Sequence, residues 1–228
     1  MTLKFWCQMP TINSQTVVVF DLDDTLYAER SFQASGYRQI ATQLSRLFHV
    51  NAHAALNEVM ASDSPDHLGL LLEKLALPQQ LKSSLLDLYR THTPDICLLP
   101  GAAALWQWLR QQGCAIAVIT DGRSFTQRMK LAQLALPDQP DLVLVSEEIG
   151  VQKPDQRAFI AVEQMFPNKQ YLYIADNPKK DFIAPRRRGW RSIGVRHLTV
   201  RVHPCADVAA DLQPDVWVDS ISEVKDKL

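Results

Sequence analysis

Six short runs of apolar, mostly β-branched residues set the strongest limit on how this chain can fold. They lie at Thr16–Phe20, 115–119, Leu142–Val145, 171–174, 192–195 and Val216–Val218. Such runs, with no alternation of polar and apolar residues, are typical of strands that are buried on both faces. Stretches with helical periodicity separate them from about residue 100 onward, at Ala102–Gln111, 125–134 and 156–165. The alternation predicts an α/β fold whose parallel sheet is covered by helices on both faces.

The first run is separated from the second by about 70 residues, far more than a single crossover helix requires. Apolar residues recur there at helical spacing. They are Phe32, Ile40, Leu44 and Leu47, then Leu68, Leu71, Leu72 and Leu75, and then Leu81, Leu85 and Leu88. We therefore expect a helical subdomain at residues 26–98, inserted into a core formed by residues 1–25 and 99–228.

The composition excludes several classes of protein. The chain has 228 residues, with 24 Lys and Arg against 25 Asp and Glu, so no overall charge favours nucleic acid or an anionic membrane. Its apolar runs fall far short of the roughly 18 residues that a transmembrane helix needs. The N-terminus lacks the apolar stretch of a signal peptide, so we expect a cytoplasmic protein with no nucleic-acid or membrane partner. The chain lacks the HExxH, GxSxG, Walker and GxGxxG motifs, and its four cysteines are expected to be free thiols.

Polar residues follow four of the predicted strands at the point where each strand ends. They are Asp21, Asp23 and Thr25, then Thr120, Asp121 and Gly122, then Lys153, and finally Asp176, Asn177 and Asp181. Ligands of open parallel sheets bind beyond the carboxyl ends of the strands, so we expect these side chains to converge. Crowded carboxylates repel one another unless a cation neutralises them, and all-oxygen ligation suits Mg²⁺. A lysine and a hydroxyl opposite that metal would hold a phosphoryl group.

These residues resemble the motifs of the haloacid dehalogenase-like superfamily of phosphohydrolases. Asp21, Asp23 and Thr25 match its DxDxT motif, and the later motifs follow in the family's order. Those are Thr120, Lys153, and Asp176 with Asp181. The resemblance implies a Rossmann-like core with a helical cap of the family's first type, which would be the insert at residues 26–98.

The resemblance also implies a role for each motif residue. Asp21 would attack phosphorus and form an aspartyl phosphate, and Asp23 would act as the general acid and base, with a higher pKa than Asp21. Thr120 and Lys153 would hold the phosphoryl oxygens. The Mg²⁺ ligands would be Asp21, Asp176 and the backbone carbonyl of Asp23. The supporting residues would be Thr25, Asp121, Gly122, Asn177 and Asp181, of which Asp181 would orient metal-bound water.

The sequence therefore predicts a Mg²⁺-dependent phosphatase of a small phosphorylated metabolite, with a sugar phosphate or a nucleotide as candidate substrates and the oligomeric state open. A phosphomutase and a non-catalytic phosphate-binding module on the same fold are the alternatives. Dehalogenases of the superfamily lack the acid at Asp23. A basic stretch at residues 179–201 is expected to be solvated surface more than a second anion site. Seven side chains of the insert are candidate leaving-group contacts, namely Tyr27, Arg30, Tyr37, Arg38, His67, Arg90 and His92.

Overall fold

A six-stranded parallel sheet forms the centre of the molecule. The computed structural model describes residues 9, 11–196, 209 and 212–228. The strands are β1 (Thr16–Phe20), β2 (Ala115–Thr120), β3 (Leu142–Val145), β4 (Gln170–Ala175), β5 (Arg191–Val195) and β6 (Val216–Val218). They pair in the order β3-β2-β1-β4-β5-β6, and every pair is parallel. The predicted α/β fold is confirmed, and each predicted strand agrees with the observed one to within a residue at either end.

Four helices lie within residues 29–91 of the segment that separates β1 from β2. They are α1 (Glu29–Phe48), α2 (Ala52–Met60), α3 (His67–Lys74) and α4 (Lys82–Thr91), with a short 3-10 turn at Gln79–Leu81. These helices share an apolar cluster of their own, which contains Ile40, Leu44, Leu56, Leu71 and Leu72 among others. The apolar spacing predicted α1, α3 and α4, whereas α2 was not predicted. Its apolar residues are spaced as on a helix, and the side chain of Asn51 caps it by accepting a hydrogen bond from the Ala54 amide at 3.2 Å.

The remaining helices cover the two faces of the sheet. They are α5 (Ala102–Gln111), α6 (Ser124–Gln133), α7 (Ser146–Ile149), α8 (Arg157–Met165) and α9 (Ile183–Arg187). Val18 and Phe20 pack into one apolar cluster with Trp106, while Val17 and Val19 pack into another on the opposite face. Because both faces of β1 are covered, its sequence is apolar throughout. Within the ranges described, no helix is both long enough and apolar enough to cross a bilayer.

The segments that lead into and out of the four-helix region lie side by side. Tyr27 and Leu98 form an antiparallel bridge, and the Leu99 amide donates a hydrogen bond to the Leu26 carbonyl at 2.8 Å. The chain therefore leaves the sheet and returns to it at one place. The predicted division of the chain at residues 26 and 98 stays a prediction.

Two leucines of α1 allow a test of the apolar cluster shared by α1–α4. Leu44 is 1% exposed and Leu47 is 62% exposed. We expect Leu44→Ala to lower the free energy of unfolding by about 2–5 kcal/mol, because it removes buried methyl groups and leaves a cavity. Leu47→Ala is the control and should stay within about 0.5 kcal/mol of the parent protein. Urea unfolding followed by circular dichroism measures both, and equal losses would contradict a packed cluster at this place.

Candidate active site

The site lies at β1, the point in the sheet where the order in which the chain adds strands reverses. β1 is flanked by β2 and β4, and ligands of doubly wound sheets bind at such a switch point, beyond the carboxyl ends of the strands. The register pairs Phe20 with Val118 on one side and with Ile174 on the other. Asp21 follows β1 directly, and its amide donates a hydrogen bond to the Ile174 carbonyl at 2.9 Å. Asp21 is thereby placed between the ends of the two neighbouring strands, which carry Thr120 and Asp176.

A buried lysine joins the acids at this edge of the sheet. Lys153 Nζ lies 2.7 Å from Asp21 Oδ1 and 2.7 Å from Asp181 Oδ1, and it donates a hydrogen bond to the Tyr173 hydroxyl at 3.0 Å. The Lys153 side chain is 1% exposed. Burial acts to lower the pKa of Lys153, but the charges of Asp181 and Asp21 outweigh burial and raise this pKa well above its usual value. Lys153 therefore remains a cation.

Three carboxylates lie close enough to share one metal ion. Oxygen atoms of Asp21, Asp176 and Asp181 lie within 4.8 Å of one another. Burial raises the pKa of Asp21 to about 6. Burial, with the charges of Asp181 and Asp21, raises the pKa of Asp176 well above its usual range. The donor set consists of carboxylate oxygens and carries excess negative charge, so these residues fit a hard divalent cation such as Mg²⁺. Asp181 lies within this cluster, while the carboxylate of Asp23 points elsewhere.

The Asp23 carboxylate faces α6. Lys130 Nζ lies 2.6 Å from its Oδ1, which also accepts a hydrogen bond from the Tyr27 hydroxyl, and Gln127 Nε2 donates to its Oδ2 at 2.8 Å. Burial acts to raise the pKa of Asp23, but Lys130, Tyr27 and Gln127 together lower this pKa below its ordinary value. The protein surroundings alone thus raise the pKa of Asp21 and lower that of Asp23. The predicted order of the two pKa values applies to a metal-bound Asp21 and stays a prediction.

The residues after β2 connect Asp23 to the phosphoryl-binding candidates. Gln127 Nε2 lies 2.8 Å from Thr120 Oγ1 and 2.7 Å from the Asp121 carbonyl. Gly122 has a φ of 145°, and a Cβ at this position would lie 3.0 Å from Gln127 Nε2. Its amide donates a hydrogen bond to Ser146 Oγ at 2.9 Å. A glycine is therefore required here by both the backbone conformation and the approach of Gln127.

Asp121 and Asn177 order the loops around the site. Asp121 Oδ1 accepts a hydrogen bond from the Lys153 amide at 3.1 Å, and its Oδ2 lies 3.4 Å from Lys180 Nζ. The Asn177 amide donates to Asp181 Oδ2 at 2.9 Å. These contacts hold the loops after β2, β3 and β4 against one another.

The loop after β1 is itself buried. The Thr25 hydroxyl is buried and has no hydrogen-bond partner among the residues described. Asp24 adopts a left-handed conformation with φ 52°, and its Oδ1 accepts a hydrogen bond from the Glu29 amide at 2.7 Å, at the start of α1. The loop that carries Asp23 therefore also fixes the first turn of α1.

A cavity of about 110 Å³ opens at this edge of the sheet. Its walls are Asp21, Asp23, Asp24, Glu29, Asp121, Asp176, Asn177 and Lys180. Glu29 comes from α1, so the four-helix region contributes to the cavity wall. Burial raises the pKa of Glu29 to about 7. Six carboxylates against one lysine make the cavity acidic, so its charge favours a bound cation.

Gln127, Lys130 and Tyr173 contact the site but were not predicted from the sequence. The first two stand three residues apart in the predicted helix at 125–134, and both are buried. Two polar residues on one face of a helix that also contributes Leu131 to the core are a signal that could have identified them. Nothing in the sequence distinguishes Tyr173 from the other buried residues of β4.

Three arginines of the basic stretch form ion pairs with acids elsewhere on the surface. Arg188 pairs with Glu163, Arg191 with Asp215, and Arg196 with Asp219. Lys180 belongs to the cavity, and Arg201 lies outside the described residues. Among the candidate leaving-group contacts, Tyr27 reaches Asp23, while Arg38 forms an exposed ion pair with Asp95 at 2.8 Å. His92 is buried against Ser35, with Nε2 2.9 Å from Ser35 Oγ.

The chain is similar to the model of a known protein family and to proteins named as phosphatases. The family model of the haloacid dehalogenase-like hydrolases matches residues 18–195. A glyceraldehyde 3-phosphate phosphatase of Methanopyrus kandleri is 26% identical over 92% of this chain and 95% of its own length. A ribulose-1,5-bisphosphate 5-phosphatase of Halopiger xanaduensis is 30% identical over 92% of this chain and 98% of its own length.

A solved structure shares the fold. The HAD-hydrolase YfnB of Bacillus subtilis, in a crystal form bound to magnesium, aligns with a TM-score of 0.67 and 18% identity over 94% of this chain and 98% of its own. The family model covers well over half of the sequence and includes every residue that the motifs placed at the sheet edge. The chain therefore belongs to the haloacid dehalogenase-like hydrolase family.

Proposed function

We propose that this chain hydrolyses a small phosphomonoester with the help of Mg²⁺, through an aspartyl phosphate, an acyl phosphate formed on the carboxylate of Asp21. The observation that carries the proposal is the placement of Asp21 at the switch point of the sheet. Lys153 Nζ lies 2.7 Å from its Oδ1, and carboxylates of Asp176 and Asp181 lie beside it. A buried carboxylate with a fixed cation and an oxygen-rich metal site is suited to phosphoryl transfer.

The chain is a phosphatase of the haloacid dehalogenase-like hydrolase family. Two relatives that match about nine-tenths of it are phosphatases of glyceraldehyde 3-phosphate and of ribulose 1,5-bisphosphate. A small phosphorylated metabolite is therefore the class of substrate, and a sugar phosphate is favoured within it. Asp23 is present, unlike in dehalogenases, and the retention of both Asp21 and Lys153 disfavours a non-catalytic module. The cytoplasmic location and the absence of nucleic-acid and membrane partners stay predictions.

Asp21, Asp176 and the backbone carbonyl of Asp23 are the proposed Mg²⁺ ligands. When bound, the cation would supply positive charge that offsets the carboxylates and polarises the phosphoryl oxygens. Asp181 supports this site by holding Lys153 through its Oδ1 and the Asn177 amide through its Oδ2. This role of Asp181 adds to the predicted one, in which Asp181 orients metal-bound water.

The reaction uses the chain's own side chains in two steps. Asp21 attacks phosphorus, the bond to the leaving oxygen breaks, and Asp23 donates a proton to that oxygen. Lys153 and Thr120 donate hydrogen bonds to the phosphoryl oxygens as charge develops on them. Asp23 then takes a proton from water, which attacks phosphorus and releases phosphate from Asp21. The lowered pKa of Asp23 favours this second step, in which it serves as a base, and works against the first step, in which it must carry a proton.

Metal removal tests the cation requirement. Excess chelator should abolish hydrolysis of 4-nitrophenyl phosphate, because the carboxylates of Asp21 and Asp176 then repel an anionic substrate. Added Mg²⁺ should restore the rate. Phosphate release measures both, and elemental analysis checks that no metal is retained. Full activity in a demonstrably metal-free sample would contradict the proposed cofactor.

The pH dependence of Mg²⁺ binding follows from the raised pKa values. With a pKa of about 6, Asp21 is increasingly protonated as the pH falls below that value, and a proton on the carboxylate competes with the metal. Mg²⁺ affinity should therefore rise with pH between about 5 and 7, and binding should release protons. Calorimetry in two buffers of different ionisation enthalpy counts the protons. Affinity independent of pH, without proton release, would show that these carboxylates are not the ligands.

Asp21 and Asp23 should fail differently when each is changed to asparagine. Asp21→Asn should abolish turnover, because a neutral amide does not attack phosphorus. Asp23→Asn should keep the nucleophile but slow the water step by about 10²- to 10⁴-fold. With 4-nitrophenyl phosphate, whose leaving group needs little protonation, this variant should accumulate phosphate on Asp21. Rapid quench followed by intact mass spectrometry detects the adduct.

The control variant is Asp87→Asn, because Asp87 is exposed on α4, outside the cavity. It should retain the parent rate and form no lasting adduct. An adduct on a serine, threonine or histidine, or full activity in Asp21→Asn, would overturn the proposed intermediate.

A further inference from the structure

We propose that Lys130 and Gln127 of α6 are positioning residues for Asp23. They hold its carboxylate in the orientation from which it exchanges protons with the leaving oxygen and with water. The inference rests on the acid and base role proposed above for Asp23. Nothing in the motif set of the sequence assigns a part in the reaction to either residue.

The two residues bind different oxygens of the Asp23 carboxylate. Lys130 Nζ lies 2.6 Å from Asp23 Oδ1, and Gln127 Nε2 lies 2.8 Å from Oδ2. They stand three residues apart, so they lie on one face of α6, and they are 5% and 2% exposed. One donor alone would leave the carboxylate free to turn about its Cβ–Cγ bond. Lys130 and Gln127, together with the Tyr27 hydroxyl that also donates to Oδ1, fix the plane of the group.

Lys130 is in turn held by the four-helix region. Its Nζ lies 4.4 Å from the centroid of the Phe32 ring, which belongs to α1 and is 4% exposed. A cation over an aromatic face is attracted to it, more strongly where water is excluded. The ammonium is therefore fixed between a carboxylate of the sheet edge and a ring of α1.

Gln127 links the acid and base to the phosphoryl-binding hydroxyl. Its Nε2 lies 2.8 Å from Asp23 Oδ2 and 2.8 Å from Thr120 Oγ1. One amide group therefore sets the spacing between the residue that moves the proton and a residue that would hold the phosphoryl oxygens. This spacing matters because proton transfer requires hydrogen-bond distance between the acid and the leaving oxygen.

A merely structural role for Lys130 predicts a different result from a positioning role. If Lys130 only neutralised a buried carboxylate, its loss would lower the amount of folded enzyme and reduce activity on all substrates equally. If it positions the acid, its loss must harm most the substrate whose leaving group most needs a proton. Phenolate is a poorer leaving group than 4-nitrophenolate, so kcat/KM for phenyl phosphate is the sensitive quantity.

The test compares kcat/KM for phenyl phosphate and 4-nitrophenyl phosphate in the full chain with Mg²⁺. Lys130→Met should lower the value for phenyl phosphate by about 10²-fold and the value for 4-nitrophenyl phosphate by much less. Lys130→Arg should recover most of the loss, because it restores a donor and a charge. Arg128→Met is the matched control on the same helix, since Arg128 pairs with Glu148 at the surface, and it should leave the ratio of the two values unchanged.

Equal losses on the two substrates, or no loss in Lys130→Met, would overturn the proposal. Circular dichroism and the unfolding midpoint verify that each variant folds. If Lys130→Met does not fold, Phe32→Leu provides the second test, because it removes the ring that holds the ammonium. It should shift the ratio in the same direction, and an unchanged ratio would overturn the proposal.

Asp23→Asn distinguishes this inference from the proposed function. If Asp23→Asn leaves the ratio at its parent value, the acid role of Asp23 fails, and the positioning role fails with it. If Asp23→Asn shifts the ratio while a folded Lys130→Met does not, the positioning role alone fails and the proposed reaction stands.

Discussion

The interaction on which the rest of the site depends is the buried ammonium of Lys153 between Asp21 and Asp181. Two carboxylates in a buried position repel each other, and removal of the partner of a buried charge typically costs about 3–5 kcal/mol. The ammonium compensates both acids at 2.7 Å. Lys153 belongs to the loop after α7, whereas the acids follow β1 and β4. One charge therefore joins three separate loops into a single edge of the sheet.

The contrast between Asp21 and Asp23 follows from how their lysines are shared. Asp21 shares Lys153 with Asp181, so burial prevails and its pKa rises to about 6. Asp23 forms an ion pair with Lys130 and accepts hydrogen bonds from the neutral donors Tyr27 and Gln127. These contacts lower its pKa. Two carboxylates separated by one residue thus acquire different protonation behaviour from their surroundings, and this is how one site provides more than one kind of carboxylate chemistry. A cation bound at Asp21 would lower the pKa of that group as well.

The sequence predicted those parts of the molecule that local pattern determines. The strands could be predicted because both faces of the sheet are covered, which makes the strand sequences apolar throughout. The motif residues could be predicted because the strand ends meet at one edge of the sheet. Helix α2 was missed, although Asn51 caps it and its apolar residues Leu56 and Val59 are spaced as on a helix. The partners of Asp23 could not be identified from local pattern. Lys130 is 107 positions away in the chain, and only the packing of α6 against the loop after β1 brings the two together.

The paired segments at Tyr27 and Leu98 have a consequence for how such a protein can change over evolutionary time. Because the two segments are already hydrogen-bonded to each other, the intervening chain can be lengthened, shortened or exchanged with little loop-closure entropy cost and without moving the strands. The loop with Asp21 and Asp23 lies before this junction, and Thr120 and Lys153 lie after it. Under the proposed mechanism, the residues of phosphoryl transfer all lie outside the intervening segment, so a new leaving-group preference would require no change in them.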